Sequence, residues 1–226
     1  MRLKKKITSV LNQYCNRNQK TKAEHELSFW SDFKKEHPVF PNTHYEYFYT
    51  RHYGLEKEFY LGKKILDIGC GPMGSLEWAT MAEERTGLDP LVEKYSKFGI
   101  REHKMKYIQA CSEDIPFADN YFDVVSSFNS LDTVDEVDKT INEIIRVLKP
   151  GGLFILLVEL HDPTPNQPKA LSFDITEHFK TRLTILDEKH YEKFAGGIYE
   201  SIYENIPFNH KNSEKRYGIL SAKFKK

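Results

Sequence analysis

The chain has 226 residues, enough for one domain with a well-buried core, and a second independent domain would be cramped. Its 33 Lys and Arg residues balance its 33 Asp and Glu residues, so no net charge draws it to nucleic acid or acidic lipid. No stretch is long and apolar enough to span a bilayer, and the basic start lacks the apolar run of a signal peptide. We therefore expect a cytoplasmic protein without a membrane span, and nucleic acid is not an expected partner.

The chain begins with a basic and then strongly aromatic segment. Over residues 23–60 the sequence is polar and rich in Phe, Tyr and Trp, and Pro38 and Pro41 divide it into two predicted helices. We interpret residues 1–60 as a helical extension of the same domain and 61–226 as its main part.

Short apolar runs alternate with helical stretches from residue 63 to 160, the pattern of a parallel sheet with crossover helices. Helices are predicted at 75–84 and from near Val134, where apolar residues share one face until Pro150 and Gly151. A further helix is predicted at 171–180. The predicted strands are 63–69, 85–89, 106–111, 122–129, 152–160, 183–191 and 217–224.

The turn after the first predicted strand is rich in glycine, in the stretch LDIGCGPMG. Gly69 and Gly71 permit backbone torsions and a close ligand approach that a Cβ atom would block, and Gly74 permits close helix packing. Twenty residues after Gly69, Asp89 ends the next predicted strand, where a carboxylate can accept both hydroxyls of a ribose. The arrangement predicts a cofactor that contains a nucleoside.

Two cofactors satisfy that pattern, a dinucleotide such as NAD and S-adenosylmethionine. Asp67, at the tip of the first strand, would repel the pyrophosphate of NAD and suits the ammonium of a methionine. The sequence therefore favours S-adenosylmethionine. An NAD-dependent oxidoreductase is the alternative enzyme, and a non-catalytic cofactor-binding or RNA-binding module that uses the basic ends is the alternative outside enzymology.

Over residues 60–160 the chain resembles the class I S-adenosylmethionine-dependent methyltransferases. The successive stretches LDIGCGPMG, GLDP, CSEDIPFADNYFDVV, SFNSLD and RVLKPGG are similar to the family's motifs in order and spacing, most of all in the branch of ubiquinone and sterol methylating enzymes. The resemblance implies a Rossmann-like α/β sheet of seven strands, the last two an antiparallel hairpin, with helices on both faces and an N-terminal helical lid. It also implies S-adenosyl-L-methionine as cofactor and S-adenosyl-L-homocysteine as product.

The resemblance assigns the cofactor contacts. The turn after the first strand would hold the methionine end, Asp89 the ribose and the turn after the third strand the adenine, while Asn129 would face the reacting methyl. Many relatives carry an acid where Cys111 stands, so the adenine amino contact falls to Glu113 or Asp114. The implied cofactor-binding residues are Asp67, Gly69, Cys70, Gly71, Asp89, Pro90, Ser112, Glu113 and Asn129.

Candidates for a general base follow predicted strands at the edge where open α/β sheets bind ligands. His161 follows the fifth strand and is the first choice, and Asp132 is the second or else a helix N-cap. No metal site is predicted, and the sparse, odd set of three cysteines predicts no disulfide framework.

The aromatic stretch THYEYFYTRHY at 43–53 predicts either a lid over the cofactor cleft or core packing. In the lid interpretation the contacts come from His44, Tyr45, Tyr49, Arg51 and His52. GPMGSLEWA, LDPLVEKYSKFGI and SFNSLDTVDE are in addition similar to methyltransferases encoded with bacterial surface-polysaccharide enzymes. That similarity suggests a sugar, a sugar-linked phosphoramidate or another small polar molecule as methyl acceptor.

Overall fold

A computed structural model describes residues 22–164, 167–212 and 217–226. These residues form a seven-stranded mixed sheet in the order β3-β2-β1-β4-β5-β7-β6. Its first five strands run parallel, and β7 lies antiparallel between β5 and β6. The strands are β1 (Lys64–Ile68), β2 (Glu84–Leu88), β3 (Lys106–Ile108), β4 (Phe122–Phe128), β5 (Leu148–Leu160), β6 (Thr184–Glu192) and β7 (Gly218–Lys225). The predicted fold class and its terminal antiparallel pair are confirmed.

Short helices surround the sheet. The α-helices are α1 (22–36), α2 (Tyr45–Tyr49), α3 (Val92–Tyr95), α4 (Val137–Val147), α5 (Glu177–Lys180) and α6 (Ile198–Glu204). Turns of 3-10 helix occur at Arg51–Tyr53, Lys57–Tyr60, Ser96–Phe98, Ile100–Glu102 and Phe173–Thr176. None of the helices in the described ranges is long and apolar enough to cross a membrane.

The amphipathic helix predicted from near Val134 is confirmed as α4, which begins at Val137. Ile141 and Ile144 are buried on one face of α4, as their spacing predicts. The helix ends at Val147, and Leu148 opens β5, because this residue pairs with Phe122 of β4.

The helix predicted at 75–84 is wrong, because residues 69–83 join β1 to β2 through successive turns. The carbonyls of Leu76 and Glu77, which would accept bonds from N–H groups four residues later in a helix, face the Arg85 guanidinium at 3.4 and 3.0 Å. The Glu77 carboxylate accepts the N–H groups of Lys104 and Met105 at 2.9 and 2.7 Å. These tertiary bonds override a modest local helix preference.

Two apolar layers cover the sheet, one on each face. Residues of α4 and α5 pack on one layer. On the other layer the aromatic N-terminal segment is buried with Ile65 and Val124 of the sheet, and Tyr53 donates its hydroxyl to the carbonyl of Leu156 at 2.8 Å. The described part of the extension thus shares its core with the sheet. Residues 1–21 of the predicted extension lie outside the described residues.

Candidate functional site

A cavity of about 690 Å³ opens at the carboxyl ends of β1, β2, β4 and β5, beneath α1. It lies where open α/β sheets bind ligands. Every residue predicted to bind the cofactor lines it, namely Asp67, Gly69, Cys70, Gly71, Asp89, Pro90, Ser112, Glu113 and Asn129.

Asp67 is a buried carboxyl group at the tip of β1. Its oxygens accept the hydroxyls of Ser75 at 2.5 Å and of Ser126 at 2.7 Å. Burial raises the pKa of Asp67 to about 6, and the serine hydroxyls counteract part of that rise. An ammonium group that entered the cavity would stabilise the ionised carboxylate.

Gly69 has φ +68°, in the left-handed region, and a Cβ atom there would overlap Cβ of Ser130. The Ser130 hydroxyl donates to the carbonyl of Ile68 at 2.8 Å, which holds the residue in place. At Gly71 a Cβ atom would stand 3.0 Å from Cζ2 of Trp30. Glycine is therefore required at both positions, because Ser130 of the loop after β4 packs against Gly69 and Trp30 of α1 packs against Gly71.

Gly69→Ala should cost about 1 to 3 kcal/mol more stability than Gly54→Ala. Both positions have similar φ values, but the space around Gly54 is open within 4 Å, so the difference isolates the overlap with Ser130. Chemical denaturation of both variants measures it. Equal losses would contradict the close packing of this turn.

Asp89 is buried at the end of β2. Its oxygens accept the N–H groups of Leu91 at 2.8 Å and Gly71 at 3.2 Å, so its orientation is fixed by backbone. Burial and, to a smaller degree, the nearby charge of Glu26 raise the pKa of Asp89 to about 7. The Tyr95 side chain also hydrogen-bonds to Asp89, and because a carboxylate has about four acceptor sites it can still accept from a ligand hydroxyl.

The loop after β3 forms another wall of the cavity. Ser112 shares a hydrogen bond with Thr140 at 2.8 Å, and Oε1 of Glu113 accepts the N–H groups of Asp135 and Glu136 at 2.8 and 3.1 Å. Glu113 therefore fixes the chain before α4 as well as facing the cavity. Asp114, the alternative for the adenine contact, is exposed and outside the cavity lining.

Cys111, which lines the same wall, is disulfide-bonded. This finding corrects the expectation that the cysteines form no disulfide. Cys70 is free and buried.

The two predicted bases form a pair outside the cavity lining. Nε2 of His161 lies 2.9 Å from Oδ2 of Asp132, and Nδ1 lies 2.6 Å from the carbonyl of Asp162. Because both ring nitrogens face acceptors, the imidazolium form is favoured, and the bond with Asp132 raises the pKa of His161. A histidine held in that form is poorly suited to accept a proton. Asp132 is not the N-cap of α4, since that helix follows Glu136.

The raised pKa of His161 predicts a pH-dependent contribution to stability. The ion pair stabilises the fold fully below the histidine's unfolded pKa, and this stabilisation disappears as the pH rises through the folded pKa. The loss of melting temperature in His161→Ala should therefore be larger at about pH 5.5 than at about pH 9. The matched control is His178→Ala, whose exposed partner Asp138 lies 3.1 Å away and should contribute little at either pH. An equal loss at both pH values for His161→Ala would contradict the ion pair.

The predicted lid residues separate into two groups. His44, Tyr45 and Tyr49 line the cavity, together with Tyr199 of α6. His52 lies in the core, where Nε2 is 2.7 Å from the Ser221 hydroxyl and burial lowers the histidine's pKa to about 4. Arg51 is exposed and does not line the cavity.

Polar residues that the sequence interpretation missed complete the cavity. Glu159 of β5 and Lys193, just after β6, form an ion pair in its wall. On α1, the cavity is lined by Lys22, Glu26 and Trp30. The spacing of four residues between these α1 positions was the available signal, because it places them on one helix face.

Residues 66–156 match the family model of the methyltransferase domain. The chain is 36% identical to a sterol 4-C-methyltransferase of Caenorhabditis elegans over 51% of this chain and 35% of that protein. It is 32% identical to a ubiquinone/menaquinone biosynthesis C-methyltransferase of Psychromonas ingrahamii over 61% of this chain and 59% of that protein. The chain thus spans no more than about three-fifths of the length of these curated relatives.

Solved structures share the fold at low sequence identity. An S-adenosylmethionine-dependent methyltransferase of Thermotoga maritima superposes with a TM-score of 0.57 at 14% identity, over 88% of this chain and 98% of that one.

Proposed function

We propose that the chain, which matches the methyltransferase domain model over residues 66–156 and shares the fold of S-adenosylmethionine-dependent methyltransferases, is a class I enzyme of this kind and transfers a methyl group from S-adenosylmethionine to a small-molecule acceptor. One observation carries the proposal. The buried carboxyl groups of Asp67 and Asp89 end neighbouring strands and face one cavity across a turn that only glycine can form there. Asp67 stands where an NAD-dependent oxidoreductase would need to admit a pyrophosphate, so the site favours the methyltransferase.

The residues of the cavity fit the cofactor. Asp67 would bind the ammonium of the methionine end, and Asp89 would accept a hydroxyl of the ribose. Gly69 and Gly71 present their backbone to the cavity, and Ser112 lies along the wall proposed for adenine. When bound, S-adenosylmethionine supplies an electrophilic methyl group on a positive sulfur.

Its acceptor, we propose, is a small polar molecule such as a sugar or a sugar-linked phosphoramidate. The acceptor side of the cavity combines the rings of Tyr45 and Tyr199 with the charged pair of Glu159 and Lys193. Aromatic faces beside a hydrogen-bond donor and a hydrogen-bond acceptor suit a polyhydroxylated or charged methyl acceptor. A sterol, quinone or fatty acid, the molecules named in relatives' descriptions, would leave the Glu159 and Lys193 side chains facing an apolar ligand, at a cost in binding free energy.

The chain's own residues align the acceptor and accept its proton. Methyl transfer is an in-line displacement, so alignment by the cavity wall supplies much of the rate. For a hydroxyl acceptor, His44 is better placed as base than His161, because it lines the cavity and burial lowers the pKa of His44, which keeps the ring neutral.

Turnover of radiolabelled S-adenosylmethionine with an acceptor panel tests the function. The panel contains nucleotide sugars and free sugars, phosphoramidates, a quinol, a sterol and a fatty acid. We expect label to transfer to a polar member and to increase with enzyme concentration. Transfer only to the quinol, sterol or fatty acid would retain the methyltransferase and overturn the polar acceptor.

A further inference from the structure

The helix α1 presents one face to the cavity, and both ends of that face are fixed. Near the start of α1, Lys22 Nζ lies 2.5 Å from Oδ1 of Asp135 and donates to the carbonyl of Thr133 at 3.1 Å. Eight residues later, the Trp30 ring lies against the turn at Gly71. Glu26 lies between these two anchors on the same face, since residues four apart in a helix are neighbours.

Glu26 is held in a defined orientation. The indole N–H of Trp30 donates to Oε1 of Glu26 at 2.6 Å. Within the described ranges, Oε2 accepts no such bond, and Glu26 lines the cavity. The carboxyl group is thus fixed by one oxygen and available through the other.

Glu26 shares its surroundings with Asp89. Its charge contributes, after burial, to the raised pKa of Asp89, and it acts on Tyr95 as well. The cationic neighbour on the same helix face, Lys22, is paired with Asp135. Two carboxyl groups directed at one partly desolvated region repel each other unless a ligand donates hydrogen bonds to them.

We propose that Glu26 binds a ribose hydroxyl of the cofactor, as a second carboxylate beside Asp89 that the N-terminal helix contributes. The inference rests on the proposed function, because it needs a nucleoside in this cavity. A ribose has two adjacent hydroxyls, and both can donate to carboxylates. The anchoring of α1 through Lys22 and Trp30 would then position a binding group as well as cover the site.

Isothermal titration with S-adenosylhomocysteine tests the role of Glu26. Glu26→Gln should raise the dissociation constant about tenfold, because it weakens a hydrogen bond to a charged acceptor. Glu24→Gln is the matched control: it makes the same chemical change on an exposed position of the same helix, and we expect it to remain within twofold of the unaltered chain. Thermal melting of both variants monitors folding.

A ribose series separates direct binding from a structural role of Glu26. If Glu26 binds a hydroxyl, then for the 2′-deoxy or the 3′-deoxy form of S-adenosylhomocysteine the unaltered chain and Glu26→Gln should bind equally well. If Glu26 only holds α1 in place, Glu26→Gln should bind both deoxy ligands more weakly than the unaltered chain, by the same factor as for S-adenosylhomocysteine. That result overturns the inference. An unchanged affinity of Glu26→Gln, with Asp89→Asn strongly weakened, also overturns it and leaves the proposed function standing. No binding by the unaltered chain would instead refute the proposed function together with this inference.

Discussion

Asp89→Ala is expected to raise the dissociation constant for S-adenosylmethionine about 10- to 100-fold. One ribose hydrogen bond to a charged acceptor contributes roughly 1.5 to 3 kcal/mol, and the substitution removes the bond to the hydroxyl that Glu26 does not bind. The effect should be large because the carboxylate is buried and already oriented by the N–H groups of Leu91 and Gly71. Calorimetric titration of the purified variant measures it.

The same orientation makes Asp89 part of the local fold, so a control is needed. Glu93→Ala removes an exposed carboxylate from α3, four residues away, and should leave the affinity unchanged. Asp89→Asn keeps an acceptor for the backbone N–H groups and should melt near the unaltered chain. An Asp89→Ala variant that melts normally and binds with unchanged affinity would remove Asp89 from the cofactor site.

His44→Ala should lower turnover about 10²- to 10⁴-fold if the acceptor is a hydroxyl, with little change in affinity for S-adenosylmethionine. His44 lines the cavity beside Tyr45 and Tyr199, and burial lowers the pKa of His44. Because His44 must be neutral to accept a proton and its pKa is lowered, turnover should fall at acid pH only below the ordinary pKa range of histidine. Turnover measured from about pH 5 to about pH 9 checks both expectations.

If His161 is the base, as the sequence predicts, the two variants exchange roles. Turnover of His161→Ala should then fall by a comparable factor. A decrease in His161→Ala with full activity in His44→Ala would restore His161 as the base. His25→Ala, on the exposed side of α1, is the control for removal of a histidine. An acceptor that is already anionic needs no base, and then neither variant should be slow.

The features that sequence predicts well here are those set by local patterns. Parallel strands buried on both faces give apolar runs, so β1 and β4 lie within two residues of their predicted bounds. Asp67 is predictable from its place in the apolar strand before the glycine turn and Asp89 from its spacing of twenty residues from Gly69, and ends of neighbouring parallel strands meet at one edge.

The features that sequence missed depend on contacts between distant parts of the chain. The segment 75–84 has helix-forming residues, yet Arg85 and the backbone near Lys104 take its hydrogen-bonding groups. Glu26 lies at the cavity on a helix that Lys22 links to Asp135, which is 113 residues away in the sequence. Strand order placed His161 at the correct edge of the sheet, but its pairing with Asp132 turns it away from the cavity.

The most direct test of the central claim is calorimetric titration of the unaltered chain with S-adenosylmethionine, S-adenosylhomocysteine and NADH. A site built around Asp67 and Asp89 should bind the first two with one ligand per chain and micromolar or tighter affinity, and should bind NADH at least about 100-fold more weakly, because Asp67 disfavours a pyrophosphate. Tight binding of NADH with none of either adenosyl ligand would contradict the account.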